Sequence, residues 1–154
     1  MPDCTFSNKI TLPNTSFLTE IVRLLNEGRT VTFLAKGNSM RPFIRGDKDS
    51  VVLKRTTSIS KGDIVLAFID ENRYVLHRVI RVHNDDCIEL MGDGNYKCTE
   101  QCSLSNIVGT AVQIIRNGKR IECNSPAEQK KAQLWSKLLP IRRYLLFVLR
   151  IFSL

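Results

Sequence analysis

Nowhere does this 154-residue chain place about twenty apolar residues in succession, the length a bilayer-spanning helix needs. Its first fifteen residues lack an apolar run behind a basic start, so neither a secretory signal nor an amino-terminal anchor is expected there. Cysteines number five, an odd count without secretory context, which favours free thiols in a reducing, cytoplasmic setting over a disulfide framework. Cys98-x-x-x-Cys102 has a zinc-compatible spacing, and Cys87 and Cys123 could approach it through sheet pairing. Zinc sites usually show two tight pairs, however, and a single pair among scattered cysteines does not make one, so no metal and no cofactor is expected. Acidic residues are also scarce, 15 against 23 Lys and Arg, for a net charge of +8. The surplus sits mostly near the carboxyl terminus. No helix-turn-helix, zinc finger or aromatic sheet signature accompanies it, so nucleic acid is not an expected partner.

What is present suits one core with appendages. Thr15 or Ser16 can cap a helix carrying Phe17, Ile21, Leu24 and Leu25 at helical spacing, with Gly28 suited to its end. Short β-type runs then follow at 30–36, 50–55, 63–69, 73–82, 87–91, 107–116 and 120–123, divided by turn residues. Asn117-Gly118 is a strong hairpin signal, and 70–72 and 83–86 are short enough to close hairpins. The fold class is mainly β within α+β: an antiparallel meander or partly closed barrel, with one amino-terminal helix and a carboxyl-terminal amphipathic tail. Residues 1–124 form the β domain and 125–154 the tail.

Three polar groups stand out. Ser39 lies in Gly37-Asn38-Ser39-Met40-Arg41-Pro42, His77 in Leu76-His77-Arg78-Val79, and Asp93 in Gly92-Asp93-Gly94-Asn95. A serine hydroxyl is a poor nucleophile at neutral pH and needs a base within hydrogen-bond reach, itself held in orientation. Ser39, His77 and Asp93 are the candidates for nucleophile, base and orienter. Period two places Val75, His77 and Val79 on one strand face and Tyr74, Leu76, Ile80 and Val82 on the other. Both faces are largely apolar, so His77 should be covered and its ring fixed. The competing reading is a core histidine satisfied by a backbone carbonyl, and serine and aspartate among glycines also make ordinary turns. Asp47 and Asp63, each following a glycine at a strand entrance, are read as turn formers, and His83 as a solvated loop residue.

The order and wording of these pieces over residues 30–116 resemble the signal peptidase I family and, more loosely, the LexA-type self-cleaving repressors sharing its catalytic domain. Ser39-Met40-x-Pro42 looks like the nucleophile box, Arg45-Gly46-Asp47 like the turn after it, and Lys61-Gly62-Asp63-Ile64-Val65 like the strand start before the base. Gly92-Asp93-Gly94-Asn95 is similar to the late Gly-Asp-Asn motif. The resemblance implies a Ser/His enzyme, because the base position holds His77 where the LexA type and most bacterial signal peptidases have lysine. Members with histidine usually carry further aspartates just beyond the late motif, where this chain has Cys98, Thr99 and Glu100. Gly37, two before the nucleophile, offers no oxyanion hydroxyl, which leaves that task to backbone N–H groups. LexA-like regulation is disfavoured: residue 77 is not lysine, and no DNA-binding region or Ala-Gly or Cys-Gly pair lies upstream.

In the tail, Ser125-Pro126-x-Glu128 marks a helix start, Pro140 should break or kink the helix, and Ile141 to Leu154 should resume it. Leu134, Leu138, Ile141, Leu145, Val148 and Phe152 fall on one side, widened by Trp135, Tyr144, Phe147 and Leu149. Lys130, Lys131, Lys137, Arg142, Arg143 and Arg150 supply charge. Two readings stand: peripheral contact with an anionic membrane, or packing on the β domain or a second copy. The expected function is a serine endopeptidase of signal-peptidase type, cutting a leader or precursor peptide held in extended form. The alternative is an inactive relative that binds such peptides or the membrane surface.

Overall fold

A computed structural model describes residues 15–70 and 73–152. The leader question at residues 1–14, and Glu71 and Asn72 of one expected turn, lie outside that range. Helix α1 (Thr15–Asn26) buries Leu18, Ile21 and Leu25, spaced three and four apart as one helical face requires, with Leu24 packed beside them. Phe17 is 39% exposed, so the buried stripe starts one residue later than the spacing suggested. Gly28 ends the helix at φ +78, and its amide and that of Arg29 donate to the carbonyls of Leu25 and Leu24.

Among the described residues eight antiparallel strands follow: β1 (Val31–Leu34), β2 (Ser50–Lys54), β3 (Ile64–Asp70), β4 (Arg73–Asn84), β5 (Cys87–Met91), β6 (Glu100–Cys102), β7 (Ile107–Arg116) and β8 (Lys119–Glu122). Across the sheet they run β1-β2-β7-β3-β4-β5-β6, with β8 hydrogen-bonded to β7. The α+β expectation holds, as an open sheet rather than a closed barrel. It is not a simple meander, because β7 inserts between β2 and β3. Its first half pairs with β3 and its second half with β8. Asn117 and Gly118 both take positive φ, 51 and 77, the conformation a two-residue hairpin turn requires. Strand β6, three residues long, has too few side chains to show a period in sequence.

Alternation along the strands sends side chains into two cores. Leu66 and Leu76 join α1, Phe33, Val51 and Leu53 on one face. Val65, Ala67, Val75, Val79, Ile88 and Leu90 form the other. Both faces of β3 and the middle of β4 are therefore covered, while Val82, near the end of β4, is 40% exposed. Between β1 and β2 the chain forms the loop that carries Ser39. Asp49 ties it down: fully buried, its carboxylate accepts hydrogen bonds from the Arg45 amide and guanidinium and from Arg116, which also donates to the Phe43 carbonyl. Burial pushes the Asp49 carboxyl up, but these arginine bonds outweigh it and hold it below the ordinary aspartate value. Gly46 packs so closely on Gly37 that a Cβ there would meet the Gly37 carbonyl oxygen at 1.9 Å.

The tail forms α2 (Pro126–Lys137), a 3-10 turn at Leu139–Ile141 and α3 (Arg142–Phe152), so the break falls at Pro140 as expected. The Ser125 side chain caps α2 by accepting from the Glu128 amide. Trp135 packs α2 onto the β domain, donating from its indole nitrogen to the Asp93 carbonyl at 2.9 Å. Arg142, read from sequence only as one of the tail's positive charges, is 5% exposed. It donates to the carbonyls of Asn95 and Trp135 and lies 5.1 Å from the Trp135 ring centroid, which compensates its burial. Cys87, Cys102 and Cys123 are free thiols. Cys98 is disulfide-bonded, which corrects the free-thiol expectation at that residue.

Candidate active site

Ser39 sits in the loop after β1, 5% exposed, and His77 in the covered middle of β4, 6% exposed. Pairing of Arg78 with Met91 and of Val79 with Leu90 brings the next β5-side residue, Gly92, to the row of His77. A Cβ on Gly92 would lie 2.4 Å from the Ser39 carbonyl oxygen and 3.1 Å from His77 Nε2. The serine main chain and the imidazole thus flank one glycine, and a side chain there would separate them. Two residues on, the Gly94 amide donates to the Ser39 carbonyl at 2.8 Å, and a Cβ on Gly94 would strike the Asn38 carbonyl. The Ser39 segment and the late glycine motif, more than fifty residues apart in sequence, are therefore stitched main chain to main chain.

The other imidazole nitrogen faces a different acid from the one expected. Glu100 pairs with Leu90, which pairs with Val79, so all three share the sheet face of His77. With no side chain at position 92, Glu100 Oε2 reaches to 2.9 Å from His77 Nδ1. The approach is off the ring N–H axis, so it is a close electrostatic contact rather than a well-directed hydrogen bond. Arg73 binds the second Glu100 oxygen at 2.5 Å. Burial pushes the Glu100 carboxyl up, but His77 and Arg73 together hold it below the usual carboxylate range. A charge fixed beside Nδ1 favours the tautomer with Nδ1 protonated.

Asp93, expected to orient His77, does something else. Both of its oxygens are taken by Arg78, at 2.8 Å from Nε and 2.7 Å from Nη2. Arg78 follows His77 in sequence and so projects to the opposite sheet face, where it also donates to the Gly62 carbonyl and lies 4.7 Å over the Phe43 ring. Asp93 is a buried anchor of the glycine turn, and strand alternation is what keeps it from His77. Asp63 and Asp47 hold the structural places assigned to them: Asp63 accepts from the Ser60 amide, and Asp47 takes φ 62 in its turn. His83 lies on the exposed end of β4 rather than in the turn, 3.7 Å from Glu89.

A groove of about 330 Å³ lies beside the serine loop, lined by Pro42, Phe43, Ile114, Ile121, Leu134 and Trp135 among others, and touches neither Ser39 nor His77. Cys102 belongs to the second core, and burial pushes its thiol up to about 11, which suits packing rather than chemistry. Among the described residues no group of three His, Cys, Asp or Glu is placed to hold a metal ion.

No curated protein matches this sequence. A family model described as Peptidase S24-like matches residues 5–112, about 70% of the chain, and bears out the expected relationship to the LexA and signal-peptidase type. The chain, with its serine loop stitched to a glycine turn under a strand histidine, belongs to the Peptidase S24-like family of serine-peptidase-like proteins.

Proposed function

We propose that the protein is a serine endopeptidase that cuts a leader or precursor peptide, with Ser39 as nucleophile, His77 as base and Glu100 as the acid that steadies the imidazole. The observation carrying this reading is the convergence of the Ser39 main chain and His77 Nε2 on Gly92, with the Glu100 carboxylate 2.9 Å from Nδ1. The Ser39 hydroxyl attacks the scissile carbonyl and passes its proton to Nε2. Backbone N–H groups at Ser39 and a neighbour hold the oxyanion. The imidazolium then returns the proton to the leaving amine as the C–N bond breaks, and water releases the acyl group from Ser39 by the same exchange. The substrate lies extended along a sheet edge; β1 is an outer strand and leads directly into the serine loop.

The second reading, a catalytically idle member that only binds peptides, draws on the near-complete burial of Ser39 and His77. A fluorophosphonate probe separates the two. Labelling that Ser39→Ala and His77→Ala each abolish, in folded protein, supports the enzyme. Folded wild-type protein that takes no label, or label that persists in Ser39→Ala, overturns it.

A further inference from the structure

Helix α3 presents an apolar stripe that nothing among the described residues covers. Tyr144, Phe147, Val148 and Ile151 follow the i, i+3, i+4, i+7 spacing of one helix face and are 69%, 62%, 46% and 54% exposed. Phe152, one turn beyond Val148 and 80% exposed, widens the stripe at its carboxyl-terminal end. Arg143 and Arg150, seven residues apart and both exposed, line one margin of that stripe. Arg142 points the other way, into the contact with Trp135 and Asn95, and so fixes the rotation of α3 with its aromatic side outward. An apolar helix face left in water is costly unless something receives it.

We propose that this face docks on an anionic lipid surface, with the helix lying in the plane of the interface. Charge identifies the occupant. From Gln129 onward the sequence contains no Asp or Glu; Lys131 pairs with Glu128, and Lys130, Lys137, Arg143 and Arg150 remain outside the buried contact. Two copies packed α3 to α3 would oppose Arg143 and Arg150 of each helix, and α3 carries no carboxylate side chain to offset them. A nucleic acid would satisfy the cations and leave Phe147, Ile151 and Phe152 wet. An anionic bilayer receives both, with aromatic rings at headgroup depth and arginines at the phosphates. Among the described residues no helix is long and apolar enough to cross a membrane, which agrees with a helix that lies on the surface. Trp135 and Arg142 bind the carbonyls of Asp93 and Asn95, so the docked helix is strutted to the glycine turn beside His77.

The test is co-sedimentation of the full chain with phosphatidylcholine vesicles, with and without phosphatidylglycerol. Binding is expected with phosphatidylglycerol present, weakened by salt. Phe147→Glu with Ile151→Glu should weaken it at least about tenfold, and Arg143→Gln with Arg150→Gln by a comparable factor. Both pairs are exposed, and the fluorescence of Trp135, the sole tryptophan, reports that α2 stays docked. No binding to anionic vesicles, binding that the glutamate pair leaves unchanged, or a dimer in solution that the glutamate pair dissolves, overturns the proposal. So does retention on nucleic acid with none on vesicles.

Discussion

Glu100 meets His77 from a strand of three residues, its Oε2 2.9 Å from Nδ1, while the more conspicuous Asp93 spends both oxygens on Arg78. The two acids can be told apart by turnover per folded molecule. Under the proposed mechanism, Glu100→Gln keeps the shape but removes the charge beside Nδ1, and should lower kcat by about two to four orders of magnitude. Asp93→Asn should leave kcat of the folded fraction within about tenfold of wild type and show its effect in stability instead. A kcat loss in Asp93→Asn larger than that in Glu100→Gln would return the orienting role to Asp93.

Gly92 is fixed by close approach rather than by its backbone angle. An alanine Cβ would sit 2.4 Å from the Ser39 carbonyl, a main-chain atom that cannot swing aside. Gly92→Ala should cost about 1–3 kcal/mol in urea unfolding and remove labelling of Ser39 even where the protein folds. Gly118→Ala, at a turn where a Cβ would meet nothing, should cost stability through its positive φ and leave labelling intact. Unimpaired labelling in Gly92→Ala would undo the argument.

Acid should loosen the serine loop through Asp49. Its carboxyl is held below the ordinary aspartate value, so its stabilisation is complete above the unfolded value of about 3.9 and disappears as pH falls through the lower folded value. Unfolding free energy measured from neutral to strongly acidic pH should therefore decline steeply below about pH 4. Asp49→Asn should flatten that decline and cost on the order of 2 kcal/mol at neutral pH, since Arg45 and Arg116 are partly solvated. An unchanged slope would show that other carboxylates carry the acid sensitivity.

Trp135 links the tail to the glycine turn. Trp135→Phe removes one indole hydrogen bond to the Asp93 carbonyl and should cost about 1 kcal/mol, whereas Trp135→Ala should cost about 3 kcal/mol or more. Hydrogen exchange at Gly94 and Asn95 should quicken in both variants. Protection there that stays at the wild-type level would mean the turn holds itself.

Much of this was readable in the amino-acid order because it rests on short-range rules. Alternation in 73–82 put His77 with Val75 and Val79, and the two cores divide along that alternation. Asn117-Gly118 named its own turn, and Ser125 its own helix cap, through backbone preferences that act over a few residues. Ser39 and His77 were legible as candidates from local wording, and both are buried against the same glycine. Glu100 stood only as one of three residues, with Cys98 and Thr99, where histidine-type relatives carry aspartates, and nothing local tied it to His77.

The linkage of Glu100 to His77 depends on a row across three strands and on the empty space at Gly92, which are properties of register. The burial of Arg142 likewise depends on where α2 lands, and the loss of Asp93 to Arg78 on which sheet face each neighbour occupies. Local pattern sets which way a side chain points from its own backbone. Which partner it meets is set by non-local pairing, where a shift of one residue would exchange one acid for another.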